Sequence, residues 1–235
     1  MSAVQQLVAA IGTSEAPPGQ VEYTTPGSYS WECPAGVTSV SVVAVGPGGN
    51  FIDMGGGGLG YKNNIPVIPG NFYAVEVGNT TTTYFISAAT VSGQPGVSYT
   101  GGSFTGDGGG NGGSVIVGSN DYNGGGGGAG GYSGNGGNGS TKDIGTSFTG
   151  SHGAGGGGGG GGNNRGGGGV GIKGEGVSGT GGGANTQGNP GSGGVGANYG
   201  GGLDAGNNGT RGAGALRIIW PGNLRSFPST RTADE

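Results

Sequence analysis

The stretch "GAGGGGGGGGNN" (residues 153–164) contains eight consecutive glycines. Neither regular element favours such a run. Glycine in a helix interior costs about 1 kcal/mol relative to alanine, and in a strand it offers no side chain to pack. Two readings remain: a loose tether, or a material in which the missing Cβ is the useful property. The choice matters because most of the 71 glycines in this 235-residue chain fall between residues 101 and 212.

The segments on either side read as strands. In "VEYTTPGSYSWECPAGVTSVSVVAVG" (residues 21–46), Val21 and Tyr23 alternate with polar neighbours, as do Tyr29, Trp31 and Cys33, then Val37, Val40 and Val42. Such alternation is the period of a half-buried strand. "PAG" at 34–36 supplies a turn, and the β-branched residues 38–46 read as a central strand. "NNIPVIPG", "NFYAVEVG" and "TTYFISAATVSG" continue the pattern, with Tyr73, Val75 and Val77 on one face of their strand and Phe72, Ala74 and Glu76 on the other. After residue 100 strand signals lapse, apart from "SVIVG" (residues 114–118). They resume at "GALRIIWPG" (residues 214–222), where Leu216, Ile218 and Trp220 alternate with Arg217 and Ile219.

An apolar strand without partners is a liability. The last strand is therefore expected to return to the N-terminal ones, bringing residues 101 and 213 close together. The expected organisation has four parts. Residues 1–20 form an attachment segment and linker, with Val4, Leu7, Val8 and Ile11 at helical spacing. Residues 21–100 form a β unit, residues 101–213 a Gly-rich insertion, and residues 214–235 the closing strand and a tail anchored by Phe227.

Composition narrows the function classes. Only 30% of residues are hydrophobic and 9% charged, yet the net charge is only -4, so self-repulsion does not hold the chain open. Eight Lys and Arg in an acidic chain supply no basic patch to neutralise phosphates, which argues against nucleic acid as a partner. Cys33 is the only cysteine. It can form no intrachain disulfide and is expected to pack as a small buried apolar residue. No stretch approaches the roughly 20 apolar residues of a membrane span. "VQQLVAAIG" near the N-terminus is too short, and lacks the basic flank, for a secretory signal.

Four structures compete for the insertion. Flexible linkers are Gly/Ser mixtures, and this segment carries more Asn, Tyr and Thr than a spacer needs. Collagen demands strict Gly-X-Y with abundant proline, whereas "GGYSGNGGNGST" breaks the register and only Pro190 falls in the region. Calcium-binding Gly/Asp repeats need regularly recurring Asp, but Asp107, Asp121, Asp143 and Asp204 recur at no fixed spacing. The fourth is a packed bundle of polyglycine II helices, of polyproline-II type, with three residues per turn and no internal hydrogen bonds. Without Cβ atoms such helices approach closely enough to bond one another N–H to C=O, with Cα–H···O contacts adding a weaker term. Ordering costs roughly 1–2 kcal/mol per residue, so only a cooperative lattice offsets it. The favoured fold class is mainly β: a small β-sandwich-like unit with an inserted bundle of polyglycine II helices. The interruptions "SNDYN", "STKDIGTSFTGSH", "NNR", "IKGEGVS", "ANTQGNP" and "LDAGNN" then become turns at the bundle ends, rich in the Asn, Asp, Ser and Thr that tight turns favour.

Catalytic signals are weak. "GVGIKG" (residues 169–174) fits G-x-G-x-x-G, but in a chain this rich in glycine a chance match is expected, and no strand-to-helix context supports it. His152 is the only histidine, which leaves no His cluster for a metal and one candidate base for a hydrolytic triad, with no acidic pair placed near it. The reading is of a protein that is not an enzyme and has no cofactor. Tyr122, Tyr132, Phe148 and Tyr199 either pack over the bundle or plug its edges, or some of them stack on the sugar rings of a surface glycan; Trp31 and Trp220 read as core. Tyr122, Phe148, His152, Asn163 and Arg165 are the candidate ligand-binding residues, since aromatic rings serve at interaction sites.

"PGSYSWECPAGVTSVSVVAVGPGG" (residues 26–49), "GGGGAGGYSGNGG" (residues 125–137) and "GALRIIWPGNLRSFPST" (residues 214–230) together resemble Gly-rich virion proteins of tailed bacteriophages, especially those infecting cyanobacteria. The resemblance covers about residues 20–230. The Gly-rich portion is also similar to the polyglycine-helix adhesins at the tips of some phage long tail fibres. It departs from them in having a β unit of its own and a short N-terminal segment instead of a fibre-tip attachment domain. The resemblance implies a virion structural protein, assembled in the host cytoplasm, with other virion proteins as partners. Its loops would bind a host cell-surface glycan or outer-membrane protein. Homo-oligomers are common among fibres, although no coiled-coil heptad is present here. The alternative within the same group is a capsid decoration or head-fibre protein held through residues 1–20. A separate class, an ice-binding or matrix protein, would also suit a Gly-rich chain.

Overall fold

The β-branched residues after Thr38 form the middle of the molecule. In β3 (Ser39–Val45) every residue is buried, which requires cover on both faces of the strand. A computed structural model describes residues 16–50, 54–115, 124–140, 149–162, 165–192, 199–202 and 211–229. Two five-stranded antiparallel sheets account for the first cover. One runs in the order β1 (Gly19–Tyr23), β10 (Ala215–Trp220), β3, β4 (Leu59–Pro66), β9 (Gly108–Gly110). The other runs β2 (Gly27–Glu32), β5 (Phe72–Val77), β6 (Thr83–Phe85), β7 (Val91–Gly93), β8 (Phe104–Thr105). The described residues contain no helix.

The core between the sheets follows from the alternation. Val40, Val42 and Ala44 of β3, with Leu216 and Ile218 of β10, face Trp31, Val75, Val77, Phe85 and Val91. The Trp31 ring centroid lies 5.9 Å from those of Phe85 and Trp220, an aromatic contact worth more than its buried area alone. The closing strand sits inside the first sheet. Ile218 pairs with Val21 on one side and Val42 on the other, and Phe227 beyond it is buried.

Two features differ from the expected organisation. The sheets run on past residue 100, because β8 and β9 extend them to Gly110. Three glycines in β9 carry no alternating side chains, so nothing but backbone pairing to Leu59, Gly60 and Tyr61 identifies them as a strand. The outer face of the first sheet is also not solvated. Val43, Val45, Leu59, Ala215 and Ile219 pack against Ala129, Tyr132, Val170 and Ile172 of the Gly-rich region and Phe227 of the tail.

That region is an array of chain segments bonded to each other by their backbones. In the glycine run, N–H groups 158 and 161 donate to Ala129 and Gly126, 159 and 162 to Asn189 and Thr186, and 160 to Ser151. The carbonyls serve other neighbours. Those of Gly158 and Gly161 accept from Gly137 and Ser140, those of Gly157 and Gly160 from Gly179 and Gly182, and those of Gly159 and Gly162 from Gly168 and Arg165. The partner segment thus recurs every third residue. Residues 124–131 behave alike: 125 and 128 donate to 140 and 137, 126 and 129 to 165 and 168, and 127 and 130 to 54 and 57. All of residues 156–162 are buried, so these bonds satisfy groups that water cannot reach.

The non-glycine interruptions are not all turns. Thr186, Asn189 and Ser151 lie within bonded segments, at surface positions where one side faces solvent and a side chain fits. Inside the array the space is closed. A Cβ on Gly158, Gly159, Gly160 or Gly161 would come within 3.0 Å of neighbouring backbone.

One charge is buried at the junction of sheet and array. Arg217, on the outer face of β10, is fully buried. Its guanidinium donates to the side-chain oxygen of Gln20 and to the Ile172 carbonyl (3.4 Å), and lies 3.6 Å from Glu22, which also pairs with Lys173. β1, β10 and the array thereby share one polar network.

Two predictions follow from this packing, both read by urea denaturation. Gly158→Val loses about 3 kcal/mol or more, since the displaced atoms are backbone, whereas Gly183→Ala, with only the Thr186 hydroxyl at 3.6 Å, stays within about 0.5 kcal/mol; equal effects would show a loose tether. Arg217→Ala costs about 2–5 kcal/mol because it empties a fully buried site and leaves Gln20 and the Ile172 carbonyl without their donor, while Glu22 keeps Lys173. Arg217→Met, which refills the space, costs distinctly less.

Candidate functional site

The hydrogen-bond register shows which segments of the array end together. Gly125 donates to Ser140, Gly126 to Arg165 and Gly127 to Met54, while Gly202 accepts from Gly167 and donates to Gly127. The described residues that flank positions 51–53, 116–123, 141–148, 163–164 and 203–210 therefore meet at one end. The turn at Ala184 and Asn185 joins them through the bond from Gly162 to Thr186. The turns beginning at Tyr132 and Ile172 lie at the other end, against the first sheet.

The candidate binding residues separate on this frame. Arg165 stands at this end, its Nε donating to the Asn185 carbonyl (3.0 Å). His152 is exposed, but within a bonded segment whose neighbours Ser151 and Gly153 donate to Asn138 and Gly179. It decorates the flank of the array and is not part of a terminal turn. Tyr122, Phe148 and Asn163 lie outside the described residues, as do Val4, Leu7, Val8 and Ile11.

A hairpin that sequence reasoning passed over belongs to the same end. Val97 and Thr100 exchange backbone hydrogen bonds of 3.0 and 2.8 Å, and Val115 donates to the Tyr99 carbonyl (2.7 Å). The two central residues, Ser98 and Tyr99, have φ of 47° and 66°. Two left-handed residues make a type I′ turn, for which Asn-Gly is the favoured pair. Side chains in such sparsely populated conformations cost of the order of 1–3 kcal/mol each. Val97 is 49% exposed. "QPGVSYTGG" does carry turn residues on both sides, but no Asn-Gly to place the turn itself.

Tyr132 is unavailable for binding. It is completely buried, its hydroxyl donating to Gly171 and accepting from the Gly174 N–H (3.1 Å each), its ring stacked 6.0 Å from Phe227. Burial pushes its phenol well above the usual tyrosine range, so it remains a neutral donor that fixes the turn. Cys33 is likewise buried, its thiol donating to the Val37 carbonyl (3.3 Å), and burial raises its pKa. It borders an open groove with Glu32, Pro34, Ala35, Pro69 and Gly70. Among the described residues no group of three His, Cys, Asp or Glu could hold a metal ion, and no helix is long and apolar enough to cross a membrane. No protein-family model matches the chain, and no curated protein matches it.

The thiol gives a direct test of this packing. The thiolate is the reactive form, and a raised pKa leaves less of it at any given pH below that pKa. Native protein at pH 8 should react with a thiol reagent at least about tenfold more slowly than urea-unfolded protein. Equal rates would place Cys33 at an open surface.

Proposed function

We propose that this chain is a phage virion structural protein of tail-fibre or adhesin type. In this reading the Gly-rich segments that follow β9, within residues 111–213, form a bundle of polyglycine II helices that presents its end loops to the host surface. The recurrence of hydrogen-bond partners every third residue supports the helix assignment, since a polyproline-II-type helix has three residues per turn and sends its N–H groups in three directions. The buried run of residues 157–162 fits a helix about 19 Å long at 3.1 Å per residue.

The observation that carries the functional reading is the polarity of the molecule. Gly19 pairs with Trp220, at the end of β10 away from the array, and Ala16 joins the inter-sheet core. Ala16 and Gly19 thereby stand at the end suited to attachment to other virion proteins. The end at which Met54, Val115, Gly162 and Gly202 stand lies beyond the opposite edge of the sheets. Loops held on a rigid scaffold are where binding concentrates. A host-surface glycan or an outer-membrane protein is the partner that this placement serves.

Immunogold labelling of virions carrying the chain should put gold on tails. Gold confined to heads would favour the capsid-decoration alternative, and unlabelled virions would overturn the virion assignment. Replacing Phe148 and Arg165 together by alanine should lower adsorption at least about a hundredfold, a loss of nearly 3 kcal/mol of binding, whereas His152→Ala alone, on the flank, should leave it within about twofold. Undiminished adsorption by the double variant would overturn the loop assignment.

A further inference from the structure

We propose that β2 is a homodimer interface: its open edge pairs antiparallel with β2 of a second copy, on a two-fold axis through Ser30. The inference stands apart from the host-surface reading. β2 ends its sheet, with β5 as its one neighbour there. Hydrogen bonds nearby show which of its backbone groups are engaged. Cys33 donates to the Asn71 carbonyl, and the Ala74 carbonyl accepts from Ile86 on the β6 side. Ser30 lies opposite Ala74, and Ser28 and Glu32 opposite Glu76 and Phe72, so these three pairs exchange no bonds with each other. The N–H and C=O groups of Ser28, Ser30 and Glu32 point out of the edge, and no described residue bonds them. All three residues are exposed. Soluble proteins blunt such an edge with Lys, Pro, a bulge or a very short strand. β2 runs six residues in unbroken register with none of these. The other edges are guarded. β1 is half-buried, its Gly19 carbonyl accepting from Arg225. β8 has two residues, and β9 runs on to Asn111, whose carbonyl accepts from Gly136 of the array.

The sequence selects a second copy as the occupant. "PGSYSWECP" (residues 26–34) places a proline four residues to either side of Ser30. With Ser30 on the axis, Ser30 faces its own counterpart, and Ser28 faces Glu32 of the second copy. Every outward group of both edges is then used, in three pairs of two bonds each. Pro26 lies opposite Pro34 just beyond the last pair, where neither has an N–H to leave unpaired. A slip of two residues sets a proline against Glu32 or Ser28. A slip of one turns the outer face inward. In the Ser30 register the two Glu32 carboxylates stay apart, each opposite a serine, which avoids the penalty of like charges face to face. Tyr29, 36% exposed, gains Trp31 of the second copy as its cross-strand neighbour. The axis reverses strand direction, so the two arrays of the dimer point to opposite poles.

The experiment weighs the full-length chain by light scattering over a concentration series reaching about 100 μM. Wild type should approach the mass of two chains. Ser30→Lys and Ser30→Glu each set like charges across the axis and should raise the dissociation constant at least about fivefold. An equimolar mixture of the two variants should return it to within about twofold of wild type, because opposite charges then face each other. Mild oxidation should link Ser30→Cys chains to one another, since the α-carbons of a hydrogen-bonded pair lie about 5.5 Å apart, within disulfide reach. Ser28→Cys chains, four residues out of register with themselves, should stay unlinked. Wild type that remains monomeric throughout would overturn the proposal; protection of the Ser28, Ser30 and Glu32 amides from hydrogen exchange in that monomer would assign the edge to another segment of the same chain. Dimers that ignore both charge variants, or that link through Ser28→Cys as readily as through Ser30→Cys, would overturn the β2 interface or its register.

Discussion

Every buried peptide group needs a partner, and a side chain on the α-carbon ordinarily limits how many neighbouring backbones can come close enough to supply one. The centre of this protein lifts that limit. Where Cβ is absent, the run at residues 157–162 donates to three segments and accepts from three others. A β-strand reaches only the two neighbours in its sheet. Each segment of the array is therefore held by the segments around it, with little apolar surface of its own to bury. The apolar residues gather instead at one end, where Ala129, Tyr132, Val170 and Ile172 meet the first sheet.

The dependence runs in both directions. β3 and β10 carry apolar residues on both faces, and without the array the outer set would lie open to water. The array in turn grows out of that sheet. β3 leads into residues 46–50, β4 follows residues 54–58, and β10 follows residues 211–214. Arg217 stands at this seam, desolvated but bonded from both sides.

Much of this was legible in the residues. Alternation in "SVSVVAVG" and "ALRIIW" identified strands, and the apolar character of the second implied its return to the first. Alternation could not reveal that the outer face of the sheet is also covered, because the covering layer is mostly glycine and leaves no complementary apolar stripe. For the same reason nothing in the alternation around Arg217 signalled that it is buried. β9 was invisible because three glycines have no period. At the candidate site, composition marked which residues could bind but not where the register would carry them. His152 and Arg165 sit in neighbouring interruptions of the sequence, yet one decorates a flank and the other an end. Ser98 and Tyr99 escaped notice because their left-handed backbone belongs to glycine and asparagine by preference.

The threefold recurrence of partners has a consequence for how such a chain can change. Adding or removing one glycine in the run 157–162 alters neither composition nor hydropathy. It shifts every donor beyond that point by one step in the three-residue recurrence of partners, so each faces a different neighbour from the one it now bonds. Only changes of three residues restore the phase. The glycine tract therefore obeys a reading frame written in backbone geometry, and a single-residue slip that looks silent in its chemistry becomes a frameshift in three dimensions.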